Sequence, residues 1–334
     1  MSAEKILTDW KNKRFKPVYW LEGEEDYFID KVIRYAEHHI LSETEASFNL
    51  SVFYGKDAVW SDVVNACMRY PMFAERQVVI LKEAQQMRDI NKLEAYIEKP
   101  LSSTTFIVSY KDKKVDGRSK LAKLLKEKGE MLSTKKLYEN QLPDWTMDLV
   151  KSKGFGIQQK ALLLLVDHVG NDLSRIDNEV DKLLVNIGKG KNITEDDVEK
   201  YVGVSKEYNP FELQNALGKR DIVRAMKIVN YFDANPKAAP IQLVLPALYN
   251  LFSKTYMIFG QQGGDEKTIA ANIGVNPYFI KDYLAASQNY GYEGVRNVLL
   301  LLHHYNLRSV GIGDSGTTDG ALMKELVSKI ILHL

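Results

Sequence analysis

Within the first 140 residues, continuous apolar runs alternate with amphipathic stretches, and that alternation leaves few folds open. Val18-Tyr19-Trp20-Leu21 precedes a segment whose apolar positions Phe28, Val32, Ile33, Ala36 and Ile40 share one helical face, the pattern of a strand leading into a helix. Phe48, Leu50, Val52 and Tyr54 alternate with polar residues and predict a half-buried strand, whereas Val78 to Leu81 and Phe106 to Val108 are unbroken apolar runs typical of strands buried on both faces. Ser61 is placed to cap a helix that Pro71 stops, and Ser119 to cap one that Gly129 ends. The expectation is a mostly parallel α/β sheet.

After Lys136 the strand signal fades and helical periodicity takes over. Leu142, Trp145 and Leu149 lie on one helix, residues 161–170 form the next, and Asn171 or Asp172 starts a third that carries Leu173, Ile176, Val180, Leu183 and Leu184. Thr194 to Asp197 resembles a capped helix start, and a polar connector from Ser205 to Pro210 leads into further helices. Two glycine-rich spots, Gln261 to Gly264 and Gly311 to Gly320, read as loops. Three domains are predicted, 1–140 (α/β), 141–208 (helical) and 209–334 (helical), within what 334 residues allow at roughly 150 per domain.

Chemistry is harder to find. A nucleotide-binding sheet places glycines and a lysine after its first strand, but here the turn reads Glu22-Gly23-Glu24-Glu25-Asp26, whose carboxylates repel phosphate. Lys82, with Glu83 beside it, stands where a buried strand would offer an acid to magnesium. The histidine pairs His38-His39 and His303-His304 lack the i, i+4 spacing of a helical metal site, and the lone Cys67 sits mid-helix as a packed small hydrophobe. No catalytic residue, metal or cofactor is expected. A signal peptide is absent and no apolar run approaches the ~18 to 20 residues of a membrane span, so a cytoplasmic protein is expected.

Three binding features remain. Although the net charge is only +1, residues 111–136 hold ten basic and four acidic side chains. Lys111, Lys113, Lys114, Arg118 and Lys120 surround a loop there and read either as a solvated face or as a nucleic-acid contact. Residues 268–287 have helix-turn-helix spacing at Ala270 and Gly274, but Tyr278, Phe279, Tyr283 and Leu284 suit a packing corner better than a DNA reader. Finally, Tyr70-Pro71-Met72-Phe73 puts two large apolar side chains on a turn, which either fold back into the sheet's core, the slightly better choice on burial alone, or plug a partner's pocket.

Four stretches carry a resemblance that spans the chain: PVYWLEGEEDYFIDKV (17–32), YPMFAERQVVILKEA (70–84), GNDLSRIDNEVDKLL (170–184) with ITEDDVEKYVG (193–203), and IAANIGVNPYFIKDYL (269–284). In this order and spacing they resemble the delta subunits of the bacterial DNA polymerase III clamp loader. The resemblance implies an AAA+-like parallel α/β domain without a functional phosphate loop (1–140), a small helical lid domain (141–208) and a C-terminal helical collar (209–334). It further implies a non-catalytic subunit that binds and opens the beta sliding clamp for loading onto primed DNA, without hydrolysing ATP and without a cofactor. Its partners would be the motor subunits (tau or gamma) and delta prime. Met72 and Phe73, beside Tyr70 and Pro71, match the family's clamp-binding wedge by position, with Met where Leu is common. Lys111, Lys113, Lys114, Arg118 and Lys120 become DNA-proximal candidates. The alternatives are a DNA-binding regulator using 268–287 and an active AAA+ ATPase.

Overall fold

Residues 2–137 begin with α1 (Ala3–Lys11), β1 (Val18–Gly23), α2 (Asp26–His39), α3 (Glu43–Asn49), β2 (Leu50–Tyr54) and α4 (Trp60–Cys67). They continue with β3 (Gln77–Lys82), α5 (Glu94–Glu98), β4 (Thr104–Lys111), α6 (Lys120–Lys128) and β5 (Glu130–Thr134). In this computed structural model the described residues are 2–332 apart from 189, 238, 262, 263 and 315. The strands form one all-parallel sheet in the order β2-β3-β4-β1-β5, the AAA+-like α/β arrangement that the resemblance implied. Strand alternation sends Val18, Trp20, Val79, Leu81, Phe106 and Val108 to one face, where they bury against α4, α5 and α6. It sends Tyr19, Leu21, Val78, Ile80, Ile107 and Leu132 to the other, against α1 and α2. Because both faces are covered, β1, β3 and β4 read in sequence as continuous apolar runs.

Local details differ from expectation for identifiable reasons. Phe48 belongs to α3 and is exposed; a capping box between Ser42 and Glu45 starts that helix and shortens the anticipated strand to Leu50–Tyr54. Helix α4 starts one residue before Ser61, with Val59 at its N-cap, and ends at Cys67, well before Pro71. Its early stop is tertiary: the Gln77 amide donates to the carbonyls of Ala66 (3.1 Å) and Arg69 (2.5 Å), and the Thr104 hydroxyl to that of Cys67 (2.9 Å). β5, short and half-exposed at the sheet edge, carries too few apolar residues to stand out in the sequence.

The chain separates into two compact units, 1–137 and 138–334. The second is helical apart from a two-stranded pairing of β6 (Gly156–Ile157) with β7 (Asn192–Ile193). α7 (Leu142–Ser152), α8 (Gln159–Val169), α9 (Leu173–Ile187) and α10 (Glu195–Val202) come first. Asp172 caps α9 and Thr194 forms a capping box with Asp197 on α10, as their sequences predict. α11 (Pro210–Gly218), α12 (Ile222–Ala234), α13 (Ile241–Ile258), α14 (Glu266–Ile273), α15 (Ile280–Ser309) and α16 (Asp319–Leu332) follow. Leu213, Phe232, Phe252, Leu302, Tyr305 and Leu326 belong to the core shared by α11, α12, α13, α15 and α16, and α15 is broken at Gly291, where φ is +61°. The expected loops at 261–264 and 311–320 include residues 262, 263 and 315, which lie outside the described set, as do residues 333 and 334. Among the described residues no helix is long and apolar enough to cross a membrane.

Candidate functional site

The turn after β1 occupies the place of a phosphate loop and is filled by the protein itself. Glu22 is buried, and its Oε2 accepts from the Trp20 indole N–H (3.2 Å) and the Val115 N–H (3.0 Å). Gly23 runs at φ +126° so closely against β5 that a Cβ there would lie 2.2 Å from the Thr134 carbonyl oxygen. The Thr134 hydroxyl donates to the Glu22 carbonyl and accepts from the Glu25 N–H, both at 3.2 Å. Glu25 caps α2 by accepting from the Tyr27 N–H at 3.3 Å. A phosphate at a helix start needs free N–H groups and nearby positive charge. Here the N–H groups of Glu25 and Tyr27 already have acceptors, and the capping group is itself a carboxylate.

The turn between α4 and β3 has the opposite character. The Phe73 ring is 94% exposed, Tyr70 is 78% and Met72 54%, so neither Met72 nor Phe73 folds back into the core, the placement that burial alone favours. Phe73 also has φ +52°, a left-handed conformation that a non-glycine residue keeps only when its surroundings impose it, at a cost of about 1 to 3 kcal/mol. The residue before it is held by Asn49, the last residue of α3 and 4% exposed. Its Oδ1 accepts from the Met72 N–H at 2.7 Å, while its Nδ2 donates to the Met72 carbonyl at 2.8 Å and to that of Glu45 at 2.9 Å. On the β3 side, the Arg76 guanidinium lies 3.9 Å over the Phe15 ring. A large apolar side chain is thus exposed on left-handed backbone next to a residue held by part-buried hydrogen bonds. Sequence reasoning found the two side chains and missed Asn49.

The basic segment is less uniform than its charge count. The Lys111 ammonium is half-buried, 2.7 Å from Asp30 and 3.6 Å from Asp26. Burial alone lowers its pKa, but the hydrogen bond and charge of Asp30, and secondarily Asp26, outweigh that and hold it above the usual lysine range. Asp26, by contrast, is pushed up, because its burial outweighs the attraction of the more distant Lys111. Asp30 is therefore the effective partner. Arg118 pairs with Asp116 at 3.3 Å and Lys120 with Glu98 at 3.5 Å, exposed pairs of small energetic worth. Lys113 and Lys114 are exposed and have no ion pair among the described residues.

The helix-turn-helix spacing is real but committed to packing. α14 ends at Gly274 (φ +67°), Pro277–Phe279 form a single 3-10 turn, and α15 begins at Ile280. Ala270, Ile273, Val275 and Ile280 are buried together, with Tyr283 and Leu284 against them, and Phe279 meets Phe211 edge-on at 5.3 Å. Cys67 is buried and burial pushes its thiol pKa up, so it is no nucleophile. Among the described residues no three His, Cys, Asp or Glu side chains are grouped to hold a metal.

A parallel sheet whose first turn is occupied by its own carboxylates and hydrogen bonds, an exposed apolar turn on the same unit and a helical second unit are the features to set against known proteins. Residues 19–135 match the family described as DNA polymerase III, delta subunit. The chain is 28% identical to DNA polymerase III subunit delta of Bacillus subtilis over 337 residues, covering 96% of this chain and 95% of that one. It is 24% identical to the probable DNA polymerase III subunit delta of Aquifex aeolicus, over 85% of this chain and 83% of that one. In three dimensions it matches the Bacillus subtilis DNA clamp loader delta protein with a TM-score of 0.59 and 26% identity, over 98% of this chain and 99% of the other. Over residues 19–135 the chain is thus similar to the delta-subunit family, and relatives of the same description resemble it over most of its length.

Proposed function

We propose that this subunit binds the beta sliding clamp through Tyr70, Pro71, Met72 and Phe73 and holds it open for loading onto primed DNA, without hydrolysing ATP itself. The observation that carries the reading is Phe73, an almost fully exposed aromatic ring on backbone strained into the left-handed region. Binding energy, rather than chemistry, does the opening: the clamp's open form is favoured by whatever affinity it has for the wedge in excess of the closed form's. Residues 141–208 are assigned as a lid and 209–334 as a collar that assembles with the motor subunits (tau or gamma) and delta prime in the cytoplasm. The exposed Leu300 and Ile312 of the second unit support an assembly surface. The direct test is retention of the sliding clamp of the same cell by the immobilised chain. A chain that does not retain it overturns the assignment.

ATP with magnesium should show no stoichiometric binding by calorimetry, because the closed Glu22–Asp26 turn leaves a phosphate neither space nor the Glu25 and Tyr27 N–H groups. Stoichiometric binding that is lost on substitution in that turn would count decisively against the reading.

Of the DNA-proximal candidates Lys111, Lys113, Lys114, Arg118 and Lys120, we favour Lys113 and Lys114, which have no ion pair among the described residues. Lys113→Glu/Lys114→Glu is expected to reduce loading on primed DNA and lower the salt slope by about 2, roughly 0.9 per lost phosphate contact, while sparing clamp affinity. Lys111→Glu should act through stability instead, since it places a third carboxylate beside Asp26 and Asp30. An unchanged salt slope in the double variant returns the segment to a solvated face.

A further inference from the structure

We propose that Asn49 is a positioning residue for clamp binding, its buried carboxamide fixing the direction in which Met72 and Phe73 project. This rests on the reading of that turn as the clamp wedge. Asn49 grips a single residue of main chain from both sides, accepting from the Met72 N–H at 2.7 Å and donating to the Met72 carbonyl at 2.8 Å. With both polar groups of Met72 fixed, the peptide entering Phe73 cannot turn over, and Phe73 is held at φ +52° with its ring in solvent. The grip is anchored in turn. Asn49 Nδ2 donates back to the Glu45 carbonyl at 2.9 Å, and Glu45 closes the capping box with Ser42 at the other end of α3. Neither aspartate nor serine could replace it, since a carboxylate has no donor and a hydroxyl does not reach both atoms. Without the grip the turn relaxes, and ordering two exposed side chains becomes a cost of association.

The test is a double-mutant cycle on the full chain, with clamp affinity measured for the unsubstituted protein, Asn49→Ala, Phe73→Ala and the double variant. Melting temperature and amide hydrogen exchange at Met72 and Phe73 are recorded alongside. Asn49→Ala should weaken clamp binding about tenfold, the worth of one to two hydrogen bonds, and speed exchange at residues 72 and 73. In the Phe73→Ala background the same substitution should cost less than about twofold, because there is no ring left to position. An equal loss in both backgrounds overturns the proposal by reducing Asn49 to a fold-keeping residue. If Asn49→Ala does not fold, Asn49→Asp, of the same size and still able to accept from the Met72 N–H, is read in the same cycle. Should Phe73→Ala leave affinity intact, the wedge reading and this proposal fall together. Should Phe73→Ala weaken binding while the Asn49 variants bind normally, only the role of Asn49 falls.

Discussion

Replacing Phe73 by alanine is expected to weaken clamp binding by about 2 to 4 kcal/mol, roughly 30- to 1000-fold, without lowering the melting temperature. The magnitude is that of an aromatic anchor that is solvated in the free protein and buried in the complex. The stability half follows from the geometry of the free chain: a ring 94% exposed has no packing to lose, so its removal leaves no cavity. Phe73→Gly sharpens the test, because it removes the same ring and also relieves the left-handed strain at φ +52°. It should bind as poorly as Phe73→Ala while melting at the same temperature or slightly higher. Met72→Ala should cost less, since about half of that side chain is already covered. Clamp affinity and thermal unfolding must therefore be measured together on each variant. Unchanged affinity removes the wedge, and a large fall in melting temperature with intact affinity makes these residues part of the fold.

What could be read from sequence here depended on whether a residue's environment is local. β1, β3 and β4 were legible because burial on both faces of a parallel sheet demands unbroken apolar runs, and nothing elsewhere in the chain alters that demand. The starts of α6, α9 and α10 were legible because Ser119, Asp172 and Thr194 make their capping bonds within three residues. α3 was obscured by the alternation of Phe48, Leu50, Val52 and Tyr54, although Ser42 and Glu45 carried a capping-box signal that could have revealed it. The end of α4 could not be read at all, since it is set by Gln77 and Thr104, which lie ten and 37 residues beyond Cys67.

The candidate site divides in the same way. Pro71 and the two apolar side chains after it are a local anomaly and stood out. The buried amide that keeps them in solvent lies 23 residues earlier, in a helix with no motif to mark it. The charge count in 111–136 was correct, yet Lys111 is answered by Asp30, 81 residues away, and only distance in space separates it from Lys113 and Lys114.

Gly23 is the position at which substitution should damage the fold most for the least change in size. Alanine there is expected to destabilise the first unit by about 3 kcal/mol, seen as an earlier transition in urea unfolding followed by tryptophan fluorescence. Two costs combine. At φ +126° an L side chain is strained wherever it occurs, and the new Cβ would sit 2.2 Å from the Thr134 carbonyl oxygen and 2.7 Å from the Thr134 nitrogen. Both are main-chain atoms of β5, so neither can be moved by trimming a side chain. Thr134→Ala should therefore fail to rescue Gly23→Ala; alone, it should cost a further ~1 to 2 kcal/mol by leaving the Glu25 N–H without its acceptor. Gly117, where an added Cβ would meet no atom within 4 Å and φ is not positive, is the control and should accept alanine with little change. If Gly23→Ala unfolds as the unsubstituted chain does, β5 does not press on this turn, and the structural ground for expecting no phosphate there is lost. If it unfolds early and Thr134→Ala does not restore it, the turn is closed by backbone, and no single side-chain substitution could reopen it to a nucleotide.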